Sequence, residues 1–150
     1  MDYKITMPYI GGILSDNSYK FLNKGTKPIV NIWKKELAQR VAEAGIPEAE
    51  EYEVEVYCKF TDERRPDVPN MFKVILDGLK KTNMYKGLGV DDKHIHPKDA
   101  GYELGHLDPE VVITIHPKIP IRTLGDAHND NVIAVNRYIA SLKEEKSEVQ

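Results

Sequence analysis

Apolar and polar residues alternate along part of this chain with a period of two and elsewhere recur every three to four residues. In EYEVEVYCKF, Tyr52, Val54, Val56 and Cys58 fall on one side and Glu53, Glu55 and Tyr57 on the other. That alternation predicts a strand with one solvated face. YKITMPYI near the amino terminus and VVITIHP at 111–117 predict two more strands. From Ile29 the spacing changes: Ile29, Trp33, Leu37 and Val41 recur at helical intervals, with Val30 and Ala38 beside them. Pro28 suits the first turn of this helix and Gly45 its stop. Phe72, Ile75, Leu76 and Leu79 mark one face of a second helix, with Asn70, Lys73 and Asp77 opposite. A third stripe, Val132, Val135, Ile139 and Leu142, covers about 132–143 and suits either a sheet or a subunit interface.

Between these elements, GGILSDNSYKFLNKGTKP, TDERRPDVP, NMYKGLGVDD and PIRTLGDAHNDN read as loops or links. The order strand, long loop, helix, strand, helix, one or more strands, helix implies an α+β fold. It predicts a single domain, a mixed β-sheet with helices packed on it, and a C-terminal helical extension from about residue 128. A chain of 150 residues is long enough for one such core.

Composition fits a globular domain, with 41% hydrophobic and 30% charged residues. No apolar run approaches membrane-spanning length, and the amino terminus lacks the order of a secretory signal. The single cysteine, Cys58, lies in a strand and reads as core rather than nucleophile. These features suit a reducing, cytoplasmic setting. The net charge is −3, yet 59–98 holds nine Lys or Arg against six Asp or Glu, a local +3. A basic centre in an acidic chain can meet a polyanion on one face.

The candidate chemistry lies in RRPDVPNMFKVILDGLK at 64–80 and in DDKH at 91–94. Asp67 stands where an N-cap would, with Asn70 three residues on, and Asp91 and Asp92 suit an ordinary turn. Alternatively, the acids converge as hard oxygen ligands for magnesium, leaving waters and phosphate oxygens to complete the shell. Lys73 would then face the phosphoryl group, unless it pairs with Asp77 instead. Arg64 and Arg65 are positioned to hold flanking phosphates. His94 and His96 would share one side of a strand, as zinc ligands or as surface and phosphate contacts. No phosphate-binding glycine loop or nucleophile elbow is present.

RRPDVPNMFKVILDGLK…GVDDKHI is similar to the central signature of the RusA-type Holliday junction resolvases, metal-dependent endonucleases that nick four-way DNA junctions. The resemblance extends more loosely from about Tyr3 to Pro117, through ITMPY, SDNSY and YEVEVYCKF, and does not include the tail from about Ile119. It maps Asp67 and Asn70 onto the Asp-x-Asp-Asn signature, Lys73 onto the catalytic lysine, and Asp91 and Asp92 onto the acidic pair. Asn17 and Tyr19 resemble polar residues of a loop near the family's amino terminus; the loop GGILSDNSYKFLNKG, long, polar and lysine-bearing, reads either as a DNA contact or as a plain surface loop. Pro69 replaces the signature's second aspartate, so one carboxylate is missing.

The resemblance implies a RusA-like fold and a homodimer acting on branched DNA with Mg2+ or Mn2+, in recombination and repair. Asp67, Asp91 and Asp92 would hold the metal, Lys73 would offset charge in catalysis, and Arg64, Arg65, Asn70, Lys73 and Asn17 would contact DNA. Two alternatives stand beside it. One is a junction-binding protein weakened in catalysis by Pro69. The other is a small α+β interaction module without a nucleic-acid role.

Overall fold

The computed structural model describes the backbone of residues 2–15, 20–21, 24–118 and 124–148, and side chains of 2–15, 27–118 and 132–144. The chain divides into two units, Met1–Ile119 and Pro120–Gln150.

The first unit is an α+β domain on a mixed sheet. Its strands are β1 (Tyr3–Pro8), β4 (Tyr52–Lys59), β5 (Ile95–Glu103) and β6 (Glu110–Pro117), in the order β1-β6-β4-β5. β1 runs antiparallel to β6, and β6 antiparallel to β4. β4 and β5 are parallel. Parallel neighbours need a crossover, and α2 (Phe72–Leu79) lies between them in the chain. β2 (Lys20–Phe21) and β3 (Lys24–Thr26) form a separate two-stranded sheet, and α1 (Pro28–Glu43) follows.

The predicted alternation of β4 holds. Tyr52, Val54, Val56 and Cys58 are buried, together with Ile5, Met7, Val111, Ile113 and Ile115 of the neighbouring strands. α1 buries Val30, Trp33, Leu37, Ala38 and Val41 against this layer, while Ile29 is exposed. The inward face is therefore phased from Val30 rather than Ile29. Pro28 sits at the start of α1, and Gly45 follows its end with φ +65°, the left-handed conformation that suits a glycine. α2 buries Val74, Ile75, Gly78 and Leu79, and Phe72 and Leu76 pack half-buried at its edge. α1 and α2 touch at Gly78, where a Cβ would come within 2.7 Å of Leu37 Cδ2. The Trp33 indole fixes α1 to the sheet by donating to the carbonyl of Pro8 at 2.8 Å.

β5 was not legible as a nine-residue strand, because IHPKDAGYE has no apolar alternation. It forms because it is an edge strand, with most residues exposed and only β4 as its partner. The second unit contains α3 (Leu124–Glu148), which is longer than the stretch about 132–143 given by periodicity. Its first turns include part of PIRTLGDAHNDN, which reads as irregular by local preference.

Candidate functional site

β4 ends at Lys59, but its course continues. Phe60 donates its N–H to Glu103, and Gly105 and His106 donate back to Thr61 and Phe60. The chain then turns through 61–67 and enters a 3₁₀ turn, Val68–Met71, which leads directly into α2. Buried Val68 and Met71 pin this turn to the core. Their neighbours Asp67, Pro69 and Asn70 are left exposed, as is Lys73 in the first turn of α2.

Asp67 is an N-cap by its backbone alone. Its carbonyl accepts the N–H of Asn70 at 2.9 Å, and its side chain makes no capping bond. The carboxylate is 82% exposed and lies 3.5 Å from Arg65 Nη1. Lys73 does not pair with Asp77, whose carboxylate contacts Lys34 at 3.7 Å and Lys80 at 3.2 Å. No ion pair joins Lys73 to another described residue. An acid, an amide and an ammonium group are thus presented together at the carboxyl end of β4.

The two arginines behave differently from one another. Arg64 is 90% exposed and clasps Asp62, with Nη2 to Oδ2 at 2.8 Å and Nε 3.3 Å from both oxygens. These hydrogen bonds hold the Asp62 carboxyl below its usual range. Arg65 is only 15% exposed. Its guanidinium stacks 3.6 Å from the centre of the Tyr102 ring, an arrangement worth about 0.5–2 kcal/mol. Arg65 therefore supports the corner, and Arg64 is the more accessible cation. Tyr102 leans on Phe60, and Phe60 meets Tyr9 edge-on at 5.0 Å. Tyr9, Phe60, Thr61, Asp62 and Arg64 line an open cleft of about 360 Å³ beside this stack. Tyr9 and Tyr102 were not singled out by sequence. Tyr9 ends a predicted strand, which was a usable signal, whereas Tyr102 lies on the unrecognised β5.

Asp91 and Asp92 stand at the other end of the crossover. Asp91 caps a short 3₁₀ turn, Asp92–His94, that opens directly into β5. Val90 accepts the N–H of Lys81, just past the end of α2, and Ile95 pairs with Tyr52 at the start of β4. The Asp67 corner is tied instead to the far end, where Tyr102 pairs with Cys58. The strand from Tyr52 to Cys58 spans roughly 20 Å at about 3.3 Å per residue. Magnesium–oxygen bonds are about 2.1 Å. Within one protomer, therefore, Asp67 does not share an ion with Asp91 or Asp92. The physical reason is the parallel pairing, which sends the end of β4 and the start of β5 to opposite ends of the strands.

Near Asp92, Glu51 binds both histidines, with Oε1 3.0 Å from His94 Nδ1 and Oε2 2.7 Å from His96 Nε2. Those bonds hold the Glu51 carboxyl below its ordinary range. Among the described residues, no group of three or more His, Cys, Asp or Glu side chains is arranged to hold a metal ion. Asn17 and Tyr19 lie outside the described residues. No described helix is long and apolar enough to cross a membrane. No family model and no curated protein matches the chain.

Proposed function

We propose that the chain acts on branched DNA as a RusA-type, metal-dependent endonuclease working at the Asp67 corner. The observation that carries this reading is the exposed set Asp67, Asn70 and Lys73, presented on one 3₁₀ turn and the first turn of α2. Magnesium commonly takes one or two carboxylates and completes its shell with waters and substrate phosphate oxygens. Asp67 fits an ion of that kind, which DNA completes; it does not fit an ion shared with Asp92 of the same chain. When bound, the ion would supply Lewis-acid activation of water and neutralise phosphate charge. Lys73 offsets charge on the phosphoryl or leaving oxygen. Arg64 exchanges a surface ion pair with Asp62 for a backbone phosphate, and the Arg65–Tyr102 stack keeps the turn in place. Selectivity for a junction comes from shape and from the spacing of two such corners in a homodimer, since phosphate contacts carry no base information.

A second reading, a protein that binds junctions without cutting them, is favoured by Pro69. Its ring stands on the exposed face where a second carboxylate would strengthen the ion site, and it has no N–H to give a phosphate.

Incubating the full chain with an end-labelled four-way junction, with magnesium or manganese, separates these readings. Endonuclease action predicts nicks that fall at least 100-fold with Asp67→Asn and about as steeply with Lys73→Ala, the scale on which such groups act. Salt-sensitive binding without nicks establishes the second reading, and Pro69→Asp should then raise cleavage. Loss of cleavage with Asp92→Asn would require that acid to arrive from another copy of the chain. Neither binding nor cleavage leaves only the interaction module.

A further inference from the structure

We propose that the cleft between Tyr9 and Arg64 holds an unpaired guanine of a DNA strand, with the Watson–Crick edge of the base read by the carboxylate of Asp62. The inference rests on the reading of the Asp67 corner as a DNA-facing surface, and adds a base contact to it. The cleft and that corner share one turn, 61–67. Arg65 ties them together, touching both Asp67 and the ring of Tyr102, which leans on Phe60. Tyr9 and Phe60, edge-on to one another at 5.0 Å, supply aromatic walls. Thr61 fixes the rim by donating its hydroxyl hydrogen to the carbonyl of His106 at 2.7 Å. Bases held out of a duplex are bound in this manner, against aromatic rings and through hydrogen bonds to the Watson–Crick edge.

Asp62 selects the base. Both of its oxygens lie against the Arg64 guanidinium, and Oδ1 also accepts the backbone N–H of Arg64 at 2.9 Å. That backbone bond keeps the carboxylate in place when the guanidinium turns to a phosphate. The freed oxygens, acceptors only, then call for two adjacent donors. Guanine alone has them, N1–H beside the N2 amino group. Adenine and cytosine each set a bare ring nitrogen, an acceptor, next to the amino group, and thymine flanks its N3–H with two carbonyls. The carboxylate thus exchanges the paired donors of a guanidinium for those of a guanine edge, while Arg64 neutralises an adjoining phosphate. Unstacking costs least for a base already unpaired, so a branch point is a suitable source.

Fluorescence anisotropy on the full chain tests this, with labelled oligothymidines carrying one central guanine, adenine or inosine. Low salt and a chelator keep cleavage out of the measurement. The guanine strand should bind about tenfold tighter than the adenine strand, the scale of one bidentate contact. Inosine, which lacks the N2 amino group, should fall between them. Asp62→Asn keeps the side-chain shape and should erase the preference, whereas Tyr9→Leu should weaken all three strands alike. A purely electrostatic role for Asp62 would shift every strand together and leave their ratio unchanged. Guanosine monophosphate should compete only at far higher concentration than the guanine strand. Equal affinity for guanine and adenine would overturn the proposal, as would a preference that survives Asp62→Asn. Competition by the free nucleotide on a par with the strand, or no binding of any strand, would do the same. A chain that nicks junctions without favouring guanine sinks this inference alone; one that favours guanine and nicks nothing sinks the nuclease reading alone.

Discussion

Cys58 shows how strongly a single position is set by its surroundings. It lies fully buried on β4, and burial, with Asp99 adding to the effect, pushes its thiol up to about 12. The thiolate is the reactive form, so alkylation of the native protein at pH 8 should be negligible and should proceed only through opening of the fold. Rapid labelling of the folded chain would contradict this burial. Glu51 has the opposite tendency, its carboxyl lowered by hydrogen bonds to His94 and His96. A depressed carboxylate contributes stability that is complete above its unfolded value, about 4.3, and is lost as pH falls through the folded value. Glu51→Gln should therefore lower the melting temperature at pH 5–6. The gap from the wild type should close as pH drops below about 4. The effect should be small, because the group is open to solvent. A gap that stays constant over this range would remove the His–Glu pairing from the stability account.

The contact between α1 and α2 sets how elements approach one another. In an exposed helix, Gly→Ala stabilises by up to about 1 kcal/mol through helix propensity. At Gly78 the added methyl carbon would meet Leu37 Cδ2 at 2.7 Å. Leu37 is fully buried and has little room to yield, so the strain of overpacking, about 1–3 kcal/mol, should outweigh the gain. Urea unfolding of Gly78→Ala should show a lower midpoint with an unchanged slope. A stabilised variant would mean that the two helices are not held as closely as described. The same close approach explains why the buried face of α2 includes Gly78, which apolar periodicity alone did not select. A glycine carries no hydrophobic signal, yet here its lack of a side chain is what brings the helices together.

Across the molecule, the parallel crossover β4–α2–β5 decides what the acidic residues can do together. It places Asp67, Asn70 and Lys73 at one end of the β4–β5 pair and Asp91 and Asp92 at the other, roughly 20 Å of strand apart. Strand direction is a long-range property, and nothing in residues 64–94 encodes whether β5 will run along β4 or against it. The sequence by itself determined the strands with strict alternation, both core helices to within a residue or two of their inward faces, the α+β class, and the exposed polar character of the Asp67 turn. Each of these follows from local periodicity and from where apolar side chains can be hidden. Only the tertiary structure decided that β5 is an edge strand, and that Arg65 is occupied by Tyr102 while Lys73 is left open. It also decided that Asp67 and Asp92 lie too far apart to grip one ion. These depend on which segments become neighbours in space, and neighbours are chosen by the packing of the whole sheet rather than by the spacing of residues along the chain.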